Sequence, residues 1–182
     1  MSHDALAALV RLAYSAERAA CYAYAGHAAS VSDPQRKAAI KRIEHEEWEH
    51  RDQLGRLMTT LQIRPSRWLE VKYALMGRVI GLSCFVIGRF MPNYFAGRLE
   101  SGNVNEYLTM QRLAVGSPIA HEHACIADMA RVEKEHELFF LTAVRDDAWL
   151  PWFQRVFAWG EGCSFNPLPV PAPEELPVGV PA

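Results

Sequence analysis

The chain has 182 residues, of which 50% are apolar and 22% charged, and its formal net charge is −2. These values suit a folded domain with a full-sized core, and the near-neutral charge gives no support for nucleic-acid binding. The four cysteines lie far apart without a CxxC pair. This disfavours a zinc-ribbon or rubredoxin-type site and predicts reduced thiols in the cytoplasm. No cationic start leads into an apolar run, so we expect no signal peptide.

Helical periodicity dominates the first 145 residues. Apolar positions at spacings of three and four predict a helix over 4–29. Asp33 and Pro34 then supply a cap and a first-turn proline for a second helix, over 34–62. Two further helices are predicted over 97–115 and 118–144, separated by a Gly-Ser-Pro stop signal.

The stretch 68–95 between the second and third helices is apolar but interrupted by charges. Its longest uncharged run has ten residues, whereas a membrane span needs about 20. We therefore expect a helical crossover that is buried or lies in a membrane surface, and Gly77 and Gly81 would allow close helix contact. A short aromatic segment opens at Pro151, and six of the eleven prolines fall in 161–182. This composition predicts an extended tail.

Two of the predicted helices carry a Glu-x-x-His pair. Residues three apart lie on nearly one face of a helix, so both side chains of a pair can reach one ion. A lone glutamate precedes the two pairs by 30 and 33 residues, and a tyrosine follows each lone glutamate by seven residues. In chain order the candidates are Glu17, Tyr24, Glu47, His50, Glu100, Tyr107, Glu133 and His136.

The pattern recurs at an offset of 83 to 86 residues, which predicts a duplicated helical hairpin. In each hairpin the lone glutamate and the first residue of the pair lie about equally far from the turn. At about 1.5 Å per residue they share one level. Two such hairpins, packed face to face, would bring four carboxylates and two imidazoles together, as in di-iron or di-manganese carboxylate proteins. The predicted fold is therefore all-α: over 1–160, a ferritin-like four-helix bundle with an apolar helical crossover and a short C-terminal helix.

Other polar residues compete for roles in this site. Burying four glutamates without a metal would cost several kcal/mol of desolvation free energy each, so we expect the site to hold metal. The ligand set predicts two iron ions, with manganese as the alternative. The two tyrosines either hydrogen-bond the ligands and pass electrons or are core residues. Glu106 lies off the face of Glu100 and is not expected to be a ligand. Four histidines are predicted to be surface or structural: His27, His45, His121 and His123.

Several segments taken together resemble one known family. They are the run from Ser15-Ala-Glu17 to Tyr24-Ala-Gly26, Glu44 to His50, Ile63-Arg-Pro65, the glycine-containing stretch 77–97, and Leu99-Glu100 with Tyr107 and Gln111. This set resembles the demethoxyubiquinone hydroxylase (Coq7) family over roughly residues 10–142. Glu106 stands where that family has a histidine, and the segment after 145 goes beyond the family pattern.

The resemblance implies a di-iron monooxygenase that hydroxylates a quinone or related aromatic ring with O2. It implies metal ligands at the six glutamate and histidine positions, and Tyr107 matches the family's tyrosine near the iron. It also implies an external electron donor derived from NADH, a lipophilic substrate, and peripheral attachment to the inner face of the cell membrane.

Three other classes of function use a similar bundle. A ferritin-like iron-handling protein, whether a ferroxidase or a peroxide reductase, would use the same ligands but would not need the apolar stretch 68–95. Hydroxylation of a modified tRNA base would require a basic rim, which the charge does not indicate. A metal-free structural bundle is disfavoured by the duplicated ligand pattern. The sequence leaves open the substrate, the electron donor and the oligomeric state, a homo-oligomer included.

Overall fold

Six α-helices and one short 3₁₀ turn form the part of the chain that the structure, a computed structural model, describes: residues 2–160. In chain order they are α1 (Ser2–Ser30), α2 (Pro34–Thr60), α3 (Arg67–Ser83), α4 (Phe90–Ala114), the 3₁₀ turn (Ala120–Glu122), α5 (His123–Val144) and α6 (Leu150–Phe157). The all-α prediction is confirmed, with four long helices, a helical crossover and a short C-terminal helix. The predicted tail 161–182, with Cys163, lies outside the described residues.

The described residues form two compact units. The first unit comprises residues 2–87 and 109–124, and the second comprises 88–108 and 125–160. Helices α1, α2 and α3 therefore belong to the first unit. Most of α4, with nearly all of α5 and the whole of α6, belongs to the second. Each Glu … Glu-x-x-His set falls within one unit.

Local sequence determines where α2 and α3 begin. The Asp33 carboxylate accepts a hydrogen bond of 2.7 Å from the Arg36 backbone N–H, and Pro34 occupies the first turn of α2. The Ser66 hydroxyl caps α3 in the same way by accepting from the Leu69 N–H. Both are the expected means of satisfying the free N–H groups at a helix start.

The first unit is held together by close approach of α3 to α1, which also packs against α2. A Cβ atom added at Gly77 would overlap the backbone of Ala19, and one added at Gly81 would lie 2.8 Å from the Tyr22 carbonyl oxygen. The two helices therefore pack backbone to backbone, as the predicted role of these glycines requires. The opposite face of α3 leaves large apolar side chains exposed, including Trp68 and Leu82.

The second unit has an aromatic core at the start of α4. Tyr94 is fully buried and packs with Phe153 of α6 and with Trp159, which follows α6. The Tyr94 hydroxyl donates to the carbonyl oxygens of Phe153 and Trp159, at 3.0 and 2.8 Å. The C-terminal aromatic segment is thus part of this core.

Two predicted helix starts are wrong. α4 begins at Phe90 rather than at 97, because its first turns pack into the aromatic core, which periodicity alone did not reveal. The stretch 68–95 is consequently one helix, a turn and the first residues of α4. α5 begins at His123 rather than at 118, because i+3 hydrogen bonds wind the preceding residues into the 3₁₀ turn. Within residues 2–160, none of the helices combines the length and the apolar character needed to cross a membrane.

Candidate metal centre

The first cluster of candidate ligands is formed by α1 and α2. α1 carries Glu17, and α2 carries Glu47 and His50, which lie three residues apart on one face. One potential ligand atom from each residue lies within 4.8 Å of the others. None of the three residues exposes more than 3% of its surface. We call this cluster the α1–α2 triad.

The second cluster repeats this arrangement on α4 and α5. Glu100 comes from α4, and Glu133 and His136 come from α5, with one potential ligand atom of each within 4.8 Å of the others. Nδ1 of His136 lies 3.8 Å from Oε2 of Glu133. All three residues are buried, with at most 2% exposed. We call this cluster the α4–α5 triad. All six candidate ligands therefore lie in buried triads.

The charge balance of the α4–α5 triad is unusual. Burial, and then the neighbouring Glu133 carboxylate, hold the pKa of Glu100 well above its ordinary value. His136 acts in the opposite direction, as does Asn103, whose amide donates to the Glu100 carboxylate at 2.7 Å. Two buried carboxylates side by side disfavour the ionised state of both.

This arrangement fits a bound cation. A divalent metal between such carboxylates would reverse the balance, because its charge favours ionised ligands. Carboxylate oxygens combined with neutral imidazole nitrogens form a donor set suited to iron or manganese. The buried, like-charged carboxylates of the α4–α5 triad are the observation on which this fit rests.

A cysteine lies close to the α1–α2 triad but is not among its candidate ligands. Cys21 is one turn after Glu17 on α1 and is fully buried. Burial, and then the Glu47 carboxylate, raise the pKa of its thiol. Because only a thiolate is a good ligand or nucleophile, Cys21 is a neutral apolar neighbour of the triad.

An ion network flanks the α1–α2 triad. Glu70, in the first turn of α3, accepts hydrogen bonds from the Ser15 hydroxyl at 2.8 Å, from Arg18 at 3.0 Å and from Arg51 at 2.6 Å. Ser15 and Arg18 lie on either side of Glu17 in the chain, and Arg51 follows His50. We call these four residues the Glu70 network. Sequence reasoning missed it, because a lone glutamate in the crossover carries no signal of its partners.

Tyr24 and Tyr107, the predicted catalytic residues, are both buried in the structure. Each lies two turns along its helix from the lone glutamate.

Glu106 lies off the Glu100 face of α4, but the charge of Glu133 on α5 still affects its carboxyl group. Burial, and then the charge of Glu133, raise the pKa of Glu106 to about 7. A wheel for α4 compares Glu106 with Glu100 only, whereas this charge comes from α5.

The four histidines that were predicted to be surface or structural residues lie where such roles place them. His45, His121 and His123 are exposed, whereas His27 is buried near the end of α1. Burial lowers the pKa of His27 to about 4, and the charge of Arg36 acts in the same direction. None of the four belongs to either triad.

Comparison with known proteins identifies the family. The family model described as ubiquinone biosynthesis protein COQ7 matches residues 4–111. The chain belongs to this family. The match confirms the resemblance found from the motifs and covers Glu17, Glu47, His50 and Glu100. Glu133 and His136 lie beyond it, so their assignment rests on the geometry of the α4–α5 triad.

Family membership is consistent with the ferritin-like bundle expected from the sequence. Searches of curated proteins and of solved structures returned no significant match. The COQ7 family and the buried glutamate and histidine triads together indicate an enzyme, a di-iron hydroxylase.

Proposed function

We propose that the chain is a di-iron monooxygenase that hydroxylates a quinone or a related aromatic ring. The observation that carries this proposal is the pair of buried Glu … Glu-x-x-His triads in a chain of the COQ7 family. The overall reaction consumes the substrate, O2, two electrons and two protons, and it yields the hydroxylated ring and water. The electrons come from an external donor, which we propose to be derived from NADH.

The proposed ligands are the six residues of the two triads. The two triads contain the four carboxylates and two imidazoles that a two-metal carboxylate site requires. Two iron ions bound there would supply the activation of O2. The protein's own contribution is a set of buried carboxylates, whose mutual repulsion a bound metal cation would relieve. Manganese is the alternative metal for the same ligands.

Two buried tyrosines are proposed to serve the same site. Tyr24 and Tyr107 point from the glutamate-bearing faces of α1 and α4, because seven residues are close to two helical turns. A phenol at such a position can hydrogen-bond a polar group or pass an electron and a proton. Because each phenol is buried, its hydroxyl is kept from bulk water.

The substrate is proposed to be lipophilic and to reach the enzyme at a membrane surface. From α3 through the following turn, ten large apolar side chains are left exposed: Trp68, Val71, Leu75, Met76, Val79, Ile80, Leu82, Phe85, Val86 and Ile87. Val86 exposes 82% of its surface and Trp68 exposes 73%. Such a surface is costly in water and suits an interfacial helix. It favours a quinone-type substrate over the iron-handling alternative, which has no use for this face.

Metal analysis is the first test of the proposal. The protein should bind about two irons per chain and should show the Mössbauer and optical signature of a bridged di-iron centre. Glu47→Ala and Glu133→Ala should each lower the bound iron well below two ions per chain. Both variants should retain most of their helix content. Glu49→Ala is the matched control, because Glu49 lies on α2 with an exposed side chain that pairs with His45. Absence of bound iron after anaerobic loading would contradict the proposed site.

Product analysis then separates the two functions. The iron-loaded protein is incubated with O2, a reductant and a quinone-containing lipid extract, and the products are examined by mass spectrometry. The proposal expects a quinone that has gained one oxygen atom, labelled when ¹⁸O2 is used. Accumulation of a ferric mineral without any oxygenated lipid would instead support a ferritin-like role.

A further inference from the structure

Trp159 is a large buried side chain outside the segment that the family model matches. Its residue exposure is 0%, and it follows α6 in a part of the chain well beyond residue 111. Its indole N–H donates a 2.9 Å hydrogen bond to the carboxylate of Glu137. Since Glu137 directly follows His136, this indole reaches the ligand-bearing stretch of α5.

The same ring also contacts α4, one turn from a candidate ligand. A Cβ atom added at Gly97 would overlap the six-membered ring of Trp159 and would lie 3.0 Å from Cβ of Phe140. Gly97 is three residues before Glu100 on α4, and Phe140 is four residues after His136 on α5. The indole is therefore wedged between the two helices, about one turn from their ligands.

The Trp159 indole also hydrogen-bonds to one member of a buried ion pair on α5, formed by Lys134 and Glu137. Nζ of Lys134 donates to the other carboxylate oxygen of Glu137 at 3.0 Å. Lys134 is 3% exposed and Glu137 is 1% exposed. Lys134 directly follows the candidate ligand Glu133, and Glu137 directly follows His136. The ion pair and the ligands therefore lie on adjacent faces of the same part of α5. A buried ion pair depends on such additional hydrogen bonds, since its desolvation cost is high.

The backbone of Trp159 is fixed as well. Its carbonyl oxygen accepts the hydrogen bond from Tyr94 on α4 at 2.8 Å. The chain reaches this position through Ala158, whose φ of +53° turns the backbone back after α6. Trp159 is thus bound at its carbonyl to α4 and at its indole nitrogen to α5.

We propose that Trp159 is a positioning residue, which sets the spacing and rotation of α4 and α5 at the level of Glu100, Glu133 and His136. It acts on the metal through these helices and does not touch it. The inference rests on the proposed function, because it assigns a role in holding the metal ligands. Residues that orient ligands from outside the coordination sphere typically change metal affinity by about 10- to 100-fold when they are mutated.

Cobalt titration of the metal-depleted full-length chain tests this role. Co²⁺ reports both affinity and ligand geometry through its visible absorption bands. Trp159→Phe keeps an aromatic ring but removes the N–H donor and part of the wedge, and it should weaken Co²⁺ binding by about tenfold or more and change the band shape. Trp152→Phe is the matched control, because Trp152 lies on α6 with 55% exposure, and it should bind as the wild type does.

A second variant keeps the test decisive if Trp159→Phe does not fold. Tyr94→Phe retains the ring in the aromatic core and removes the hydroxyl that donates to the carbonyl oxygens of Phe153 and Trp159. It should also weaken Co²⁺ binding, with helix content by circular dichroism unchanged. Wild-type affinity and band shape in the folded variants would overturn the positioning role. A wild-type chain that binds neither Co²⁺ nor iron would instead overturn the proposed function itself.

Discussion

The α1–α2 triad and the α4–α5 triad contain the same residue types at the same helical spacing, but their surroundings differ. The helix that packs against α1 carries glycines where the two meet, and a partly exposed ion network crosses to the ligand helices. The α4–α5 triad is supported instead by an aromatic core and by the buried side chains of Lys134, Glu137 and Trp159. The ligand pattern is the same in the two triads, whereas the residues that support it differ.

The difference has physical consequences. Backbone-to-backbone packing of α3 on α1 tolerates no added atoms, and the Glu70 network remains within reach of solvent ions. In contrast, the Lys134–Glu137–Trp159 group is shielded from water, so salt screens it little. We therefore expect mutation, salt and pH to affect the two regions in different ways, and three further predictions use this comparison.

The largest effect is expected at the α1–α3 contact. Gly77→Ala places a methyl group against the backbone of Ala19, which cannot move as a flexible side chain would. Overpacking of this kind should lower the free energy of unfolding by about 2–3 kcal/mol, as measured by urea denaturation. Gly102→Ala on α4 is the control, because a Cβ there meets nothing within 4 Å. It should be neutral or stabilise the protein by about 1 kcal/mol.

A smaller effect is expected in the Glu70 network. Glu70→Gln leaves Arg51, whose side chain is only 12% exposed, facing a neutral amide. Burial opposes ionisation of Glu70, but the hydrogen bonds and charges of Arg51, Ser15 and Arg18 outweigh it and lower its pKa. The substitution should cost about 1–2 kcal/mol of stability at low salt, and less in 1 M NaCl. Equal losses at both salt concentrations would show that the network is not electrostatic in origin.

The exposed ion pairs of Arg131 in the second unit serve as a reference for the Glu70→Gln variant. Arg131 pairs with Asp128 and Glu135 on the exposed surface of α5, where ion pairs contribute little. Arg131→Met should therefore change stability by less than about 0.5–1 kcal/mol. A comparable loss in both variants would remove the distinction drawn for the Glu70 network.

The smallest effects concern pH, and their signs are opposite in the two regions. The pKa of His27, in the first unit, is lowered to about 4 in the folded protein. Its contribution to stability is present above its ordinary pKa of 6.5 and is lost as the pH falls towards 4. The pKa of Glu106, in the second unit, is raised to about 7. Its contribution is present below the ordinary value of 4.5 and is lost as the pH rises through 7.

Metal-free variants separate these two contributions. His27→Gln should flatten the decline in stability between pH 6.5 and 4, and Glu106→Gln should flatten the decline between pH 4.5 and 7. Each slope should change by about 1 kcal/mol per pH unit within its range, measured by urea denaturation at several pH values. Comparison of slopes within one variant removes any constant cost of the substitution. An unchanged slope in Glu106→Gln would contradict the raised pKa.

Much of the candidate site was predictable because helical spacing maps directly onto helix faces. The two Glu-x-x-His pairs and their lone glutamates could be placed at one level from residue counts alone, and the structure brings each set together. The start of α4 was not predictable in this way. Its first turns are held by Tyr94 and its contacts with residues about 60 positions later, which no local window contains.

The sequence by itself determined the helical class of this protein, the identity of the six candidate ligands and the close contact at Gly77 and Gly81. Those features follow from local periodicity and from the chemistry of the residue types. Only the tertiary structure decided how each triad is braced, that Glu106 is influenced by Glu133, and that Trp159 reaches both ligand-bearing helices. These depend on which helices approach one another and at what distance, and side-chain contacts between distant segments leave no periodic trace in the chain.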